Sequence, residues 1–106
     1  MVGSIYLAKI YFTDLSEYKI RPVLVIKELG EDYICLQLTS QIESSKIIIT
    51  NNDLANGKLQ KDSLVVVPKN LTLHKSILFK HIASLKKEIF LEIFKKFCNE
   101  IGCHNK

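Results

Sequence analysis

Fourteen of the fifteen basic residues in this 106-residue chain are lysines, and the single exception is Arg21. A guanidinium offers a planar fork of donors that can hold two oxygens of a phosphate or carboxylate at once, which an ammonium cannot. Arg21 opens the apolar run Arg21-Pro22-Val23-Leu24-Val25-Ile26, so it stands where an extended segment begins beside a loop. Rigid scaffolds commonly present functional groups at such places. About a dozen residues after that run comes Leu38-Thr39-Ser40-Gln41, which supplies two hydroxyls and an amide. Taken alone, Arg21 reads as a solvated charge or a surface ion-pair partner. Thr39 alone reads as an ordinary β-favouring residue.

The remaining reactive side chains say less. Cys35, Cys98 and Cys103 are odd in number and lack the CxxC spacing of a zinc or redox site. Cys35 lies in an apolar run and reads as a small core residue. Cys98 and Cys103, with His104 beside them, make a weak case for a metal site, and no metal or other cofactor is expected. Free thiols of this kind fit a reducing cytoplasm. His74 is singled out because imidazole titrates near neutrality. Lys69 follows Pro68, just beyond the strand read at Ser63 to Val67.

These groups need a scaffold, and the periodicity of the chain supplies one. Gly3 to Phe12 places Tyr6, Ala8, Ile10 and Phe12 on one phase of a two-residue repeat, which predicts a strand. Thr13 to Ile20 is a polar connection, and Arg21 to Ile26 a second strand with its proline at the start, where a missing donor is tolerated. A turn around Gly30 leads into Tyr33 to Thr39, with Ile34, Leu36 and Leu38 facing one way and Cys35, Gln37 and Thr39 the other. Lys46 to Thr50 and Ser63 to Val67 read as further strands, Asn51 to Gly57 as a turn or one helical turn, and Leu71 to His74 as the start of another extended segment. From Lys86 the period changes. Ile89, Phe90, Ile93, Phe94, Phe97 and Ile101 form one apolar stripe, with Ser84 able to cap the helix and Gly102 to end it.

Five or six short strands and one C-terminal helix predict a mainly β domain, a small curled sheet or barrel closed by the helix, spanning residues 1 to 106. Hydrophobic residues make up 47% of the chain, which excludes a disordered or fibrous protein. Its longest apolar runs fall far short of the roughly 20 residues that span a bilayer. The first dozen residues lack the basic start of a secretion signal. A net charge of +4 is compatible with a polyanionic partner without requiring one.

Three blocks then give the chain a family likeness: Gly-Ser-Ile-Tyr-Leu-Ala-Lys-Ile-Tyr-Phe-Thr-Asp at residues 3 to 14, Arg-Pro-Val-Leu-Val-Ile at 21 to 26 and Leu-Thr-Ser-Gln at 38 to 41. In that order and spacing they resemble the MazF/PemK family of toxin–antitoxin ribonucleases. Asp62-Ser63-Leu64-Val65-Val66-Val67 and Leu71-Thr72-Leu73-His74-Lys75-Ser76 match later family segments more loosely. The resemblance implies a small SH3-like β-barrel of the MazF/PemK/CcdB type with a C-terminal helix. It also implies a cytoplasmic homodimer that cleaves single-stranded RNA without a metal ion and is inhibited by a cognate antitoxin protein.

On that likeness, Arg21 and Thr39 correspond to catalytic residues, and Ser40 and Gln41 to RNA-binding or supporting groups. The chain also departs from the pattern. Val66 and Pro68 stand where many members carry an arginine and an acid, and Thr72-Leu73-His74 stands where the family has Thr-x-Asp. Lys69 is then the candidate for a displaced phosphate contact and His74 for proton transfer. The competing expectation is a non-catalytic protein on the same barrel, such as a CcdB-like gyrase poison or an RNA-binding relative.

Overall fold

A computed structural model describes residues 2–11, 17–39 and 47–102, with backbone alone at 67–69. Among the described residues seven strands form one antiparallel sheet: β1 (Ser4–Tyr11), β2 (Tyr18–Leu29), β3 (Asp32–Thr39), β4 (Ile47–Ile49), β5 (Leu54–Gly57), β6 (Ser63–His74) and β7 (Leu78–Leu85). The spatial order is β4-β6-β3-β2-β1-β7-β5, and the helix α1 (Lys87–Ile101) follows. The fold is thus mainly β with one C-terminal helix, as the periodicity predicts.

The sheet cannot be flat. Six inter-strand intervals of about 4.8 Å would hold its edges, β4 and β5, roughly 29 Å apart. Only residues Thr50 to Asp53 join those edges, and five residue steps reach at most about 18 Å. The sheet therefore curls into a half-barrel. A 3-10 turn at Asn51–Asp53 fixes the join through a capping box: the Thr50 amide donates to Asp53 Oδ2 at 2.9 Å, and Thr50 Oγ1 accepts from the Asn52 amide at 3.3 Å. Asn51 then grips the following loop, accepting from the Leu59 amide at 2.8 Å and donating to its carbonyl at 3.1 Å.

Each face of the curled sheet buries its own cluster. Ile5, Leu24, Ile26, Leu36, Leu38, Ile49 and Val65 pack with Ile93 and Phe97 of α1. On the other face, Ala8, Val23, Val25 and Cys35 are sealed by Leu78, with Tyr6, Ile10, Tyr33 and Ile77 around them. That explains why Val23, Leu24, Val25 and Ile26 are all buried in succession, since consecutive strand residues feed opposite faces. The alternation predicted for β1 and β3 is therefore observed.

Five expectations change. Tyr18 to Ile20, read as the end of a polar connection, are part of β2 and pair with β1. The two extended pieces at 63–67 and 71–74 are one strand, β6. Leu36 faces Asn70 and Leu38 faces Val65, so five residue steps on β6 oppose two on β3. Pro68 falls within this bulge, where its missing N–H costs no ladder bond. Residues 54–57, read as part of a turn, form the edge strand β5 against β7. The periodicity gives no sign of β7 as a strand. Ser84 does not cap α1: it lies in β7 and bonds to Ser4 Oγ at 3.3 Å, while Lys86 takes the N-cap position without a side-chain bond. Gly102 does end the helix, with a left-handed φ of 77°.

Candidate active site

Arg21 sits in β2 opposite Ala8 of β1 and is half-buried. Pro22 disfavours helical backbone at the residue before it, which helps keep Arg21 extended. On its other side, β2 pairs with β3 in a ladder whose last described pair is Val23–Gln37. Stepping two residues further along each strand leads to Arg21 and Thr39. Both keep the side of the sheet taken by Val23, Cys35 and Gln37, because side chains alternate with a period of two. Thr39 is the last residue of β3, facing Leu64 of β6, and is also half-buried. The two candidates from distant parts of the sequence therefore stand on neighbouring strands and the same face.

The other candidates are placed differently. Ser40 and Gln41 lie outside the described residues, as does the side chain of Lys69. His74 ends β6 opposite Asp32 and caps the short 3-10 turn Lys75–Ile77. Its Nδ1 accepts from the Ser76 amide at 3.1 Å and lies 2.9 Å from Ser76 Oγ. An accepting Nδ1 places the proton of the neutral ring on Nε2. Cys35 is fully buried, and desolvation pushes its thiol from 9.0 up to about 12. It stays protonated at neutral pH and inert, as a core residue should. Among the described residues no three His, Cys, Asp or Glu side chains are grouped to hold a metal ion, and no helix is long and apolar enough to cross a membrane.

The sequence did not reveal a cleft of about 550 Å³ on the Leu7–Pro22 side of β1 and β2, beneath the loop that connects β5 to β6. Leu7, Pro22 and Ile82 provide apolar lining, and Lys58, Lys61 and Lys80 bring three cations to it. His81 also lines it, with Nε2 3.1 Å from Ser84 Oγ and its ring edge-on to Tyr6 at a centroid distance of 5.2 Å. In a chain of fourteen lysines nothing local marks these three. Only the return of β7 alongside β1 brings Lys80 and His81 next to Leu7.

The model for PemK-like, MazF-like toxins of type II toxin–antitoxin systems matches residues 2–100 of this chain. Among solved structures the fold is similar to the crystal structure of MazF (Form-I) from Deinococcus radiodurans. The TM-score is 0.65 at 16% sequence identity, over 95% of this chain and 94% of that one. No curated protein sequence gives a significant match. With a family match over nearly its whole length, the chain belongs to the PemK-like, MazF-like toxins of type II toxin–antitoxin systems.

Proposed function

We propose that the protein is an endoribonuclease toxin that cleaves single-stranded RNA in the cytoplasm by attack of the adjacent 2′-hydroxyl, without a metal ion. The observation that carries this reading is the placement of Arg21 and Thr39 on adjacent strands and one face of the sheet. The 2′-oxygen bonds to phosphorus as the P–O5′ bond breaks, leaving a 2′,3′-cyclic phosphate and a 5′-hydroxyl. The Arg21 fork suits two oxygens of the phosphate and the charge that grows on them at the five-coordinate stage. The Thr39 hydroxyl adds a donor from the neighbouring strand.

Ser40 and Gln41 follow Thr39 directly in the chain and are assigned to RNA contact, and Lys69 to a phosphate. His74, expected to transfer a proton, pairs with Asp32, about 23 Å along β3 from Thr39, and so lies out of reach of the phosphate held there. The acting unit is a homodimer, and an antitoxin, the partner that this toxin family implies, blocks it by occupying the RNA-binding face. Incubation of the purified protein with RNA of mixed sequence in EDTA should yield fragments with 5′-hydroxyl ends. Cleavage that vanishes in EDTA and returns with magnesium, or 5′-phosphate products, would contradict the mechanism. Absence of cleavage would leave the barrel as a binding module.

A further inference from the structure

Beyond Ala8–Leu78 on one side and Val23–Gln37 on the other, β1 and β2 continue as a two-stranded ribbon whose last pair is Tyr11–Tyr18. On the face that carries Leu7 and Pro22, successive pairs along this ribbon are Leu7–Pro22, Lys9–Ile20 and Tyr11–Tyr18. Two such steps cover about 13 Å. Instead of becoming more polar towards its tip, this face becomes aromatic. Tyr11, Tyr18 and Phe79 are 48%, 46% and 44% exposed, and Ile20 is 50% exposed. The Tyr11 and Tyr18 rings lie 5.4 Å apart, centroid to centroid. The Lys9 ammonium sits over both the Tyr18 ring, at 5.2 Å, and the Phe79 ring, at 5.8 Å.

Single exposed apolar residues on a surface need no explanation. Four together around a lysine, continuous with a cleft that holds Lys58, Lys61 and Lys80, do. We propose that this ribbon face and the cleft form one binding surface for single-stranded RNA, with bases on the Tyr11, Tyr18 and Phe79 rings and phosphates on the lysines. Aromatic platforms interleaved with cations bind single strands in this way, because every base has a face to stack and every linkage a charge to meet. The charge selects RNA over a second copy of the chain. A copy would bring the same four lysines, Lys9, Lys58, Lys61 and Lys80, against these. Arg21 lies between Ile20 and Pro22 and faces the other side of the ribbon, so this surface is separate from the candidate catalytic face. The proposal rests on the ribonuclease reading for its ligand but not for its test.

The probe is a short fluorescent 2′-O-methyl RNA of mixed sequence, which cannot undergo 2′-hydroxyl attack, titrated with intact protein. The double variant Tyr18→Ala/Phe79→Ala should weaken binding by about 10- to 100-fold. Tyr18→Phe, which keeps the ring, should bind within about threefold of the parent. Replacing Lys58, Lys61 and Lys80 by alanine should flatten the logarithmic salt dependence by roughly 0.7 for each phosphate deprived of its lysine. Full affinity in a folded double variant overturns the proposal, as does a parent protein with no affinity for the probe. A double variant that changes from dimer to monomer in light scattering assigns the patch to a second copy and also overturns it. A parent that binds through these residues but cleaves no RNA leaves the surface standing and removes only the nuclease reading.

Discussion

Arg21→Lys separates geometry from charge. Lysine keeps the positive charge and about the same reach, so electrostatic attraction for RNA survives, but the fixed fork is lost. Losing one donor aimed at developing charge slows a reaction by on the order of 10² to 10³. Single-turnover cleavage by Arg21→Lys should fall by about that factor, with RNA affinity near the parent value. A rate within a few-fold of the parent would show that only the charge matters. Arg21 and Thr39 stood out as candidates in the sequence because each lies within a recognisable motif, whereas the lysines and His81 of the cleft have no local signature. His74→Ala removes an N-cap acceptor and should lower stability by about 1 kcal/mol. At its distance from Thr39 the pH–rate profile should stay unchanged in this variant, with capping as the role of His74; loss of one limb would contradict that. Cys35 makes a pH prediction. Its thiol ionises near 9.0 when exposed but only at about 12 in the fold, so it costs no stability at neutral pH and progressively more as pH rises between those values. The slope is at most about 1.4 kcal/mol per pH unit. Urea titrations of the parent and Cys35→Ala should therefore converge as pH rises above 9; parallel curves would contradict the shift.

At the scale of elements, β5 and β7 resisted sequence reading for a physical reason. Leu54-Ala55-Asn56-Gly57 contains no β-branched residue and becomes a strand only because β7 offers it a partner. β7 has bulges near Phe79 and Ile82 that break its two-residue period, and Lys80 and His81 lie between its apolar residues. β3 and α1, whose periods are regular, were legible almost to the residue. Gly57 tests how closely β5 and β7 approach each other. Its φ is +82°, and a Cβ there would collide with the Ile82 carbonyl and the Ala83 backbone. Gly57→Ala should cost at least about 2 kcal/mol, lowering the midpoint of thermal unfolding by more than about 8 °C. Gly30 also has a positive φ, +63°, but open space around it. Gly30→Ala should cost only about 1 kcal/mol. Equal losses in the two variants would mean that the backbone collision is relieved by a small shift of β7.

For the molecule as a whole, the periodicity of strands and helix predicts a curled sheet closed by a helix, and that much was legible. Strand order was not, since it depends on which distant segments pair. Helix α1 buries Ile93 and Phe97 but leaves Leu91 and Ile101 about half exposed, while the platform at the opposite end of β1 and β2 is basic. The proposed homodimer should give twice the chain mass in light scattering at tens of micromolar. An active monomer at that concentration would exclude it.

The position of β1 also has a consequence in time. β1 precedes the other six described strands in sequence but lies in the interior of the sheet, paired on one side with β2 and on the other with β7, so that Ser4 meets Ser84. Contacts that join the two ends of a chain form late and slow folding, because a long loop must close before they gain anything. The sheet cannot close until β7 has been synthesised, and Thr50 to Asp53 cannot hold its two edges together until β5 has β7 to pair with. A nascent toxin built this way carries Arg21 and Thr39 early but lacks the finished surface around them. The proposed activity, if it needs the closed sheet, therefore waits for β7, which leaves an interval in which an antitoxin can meet the chain first.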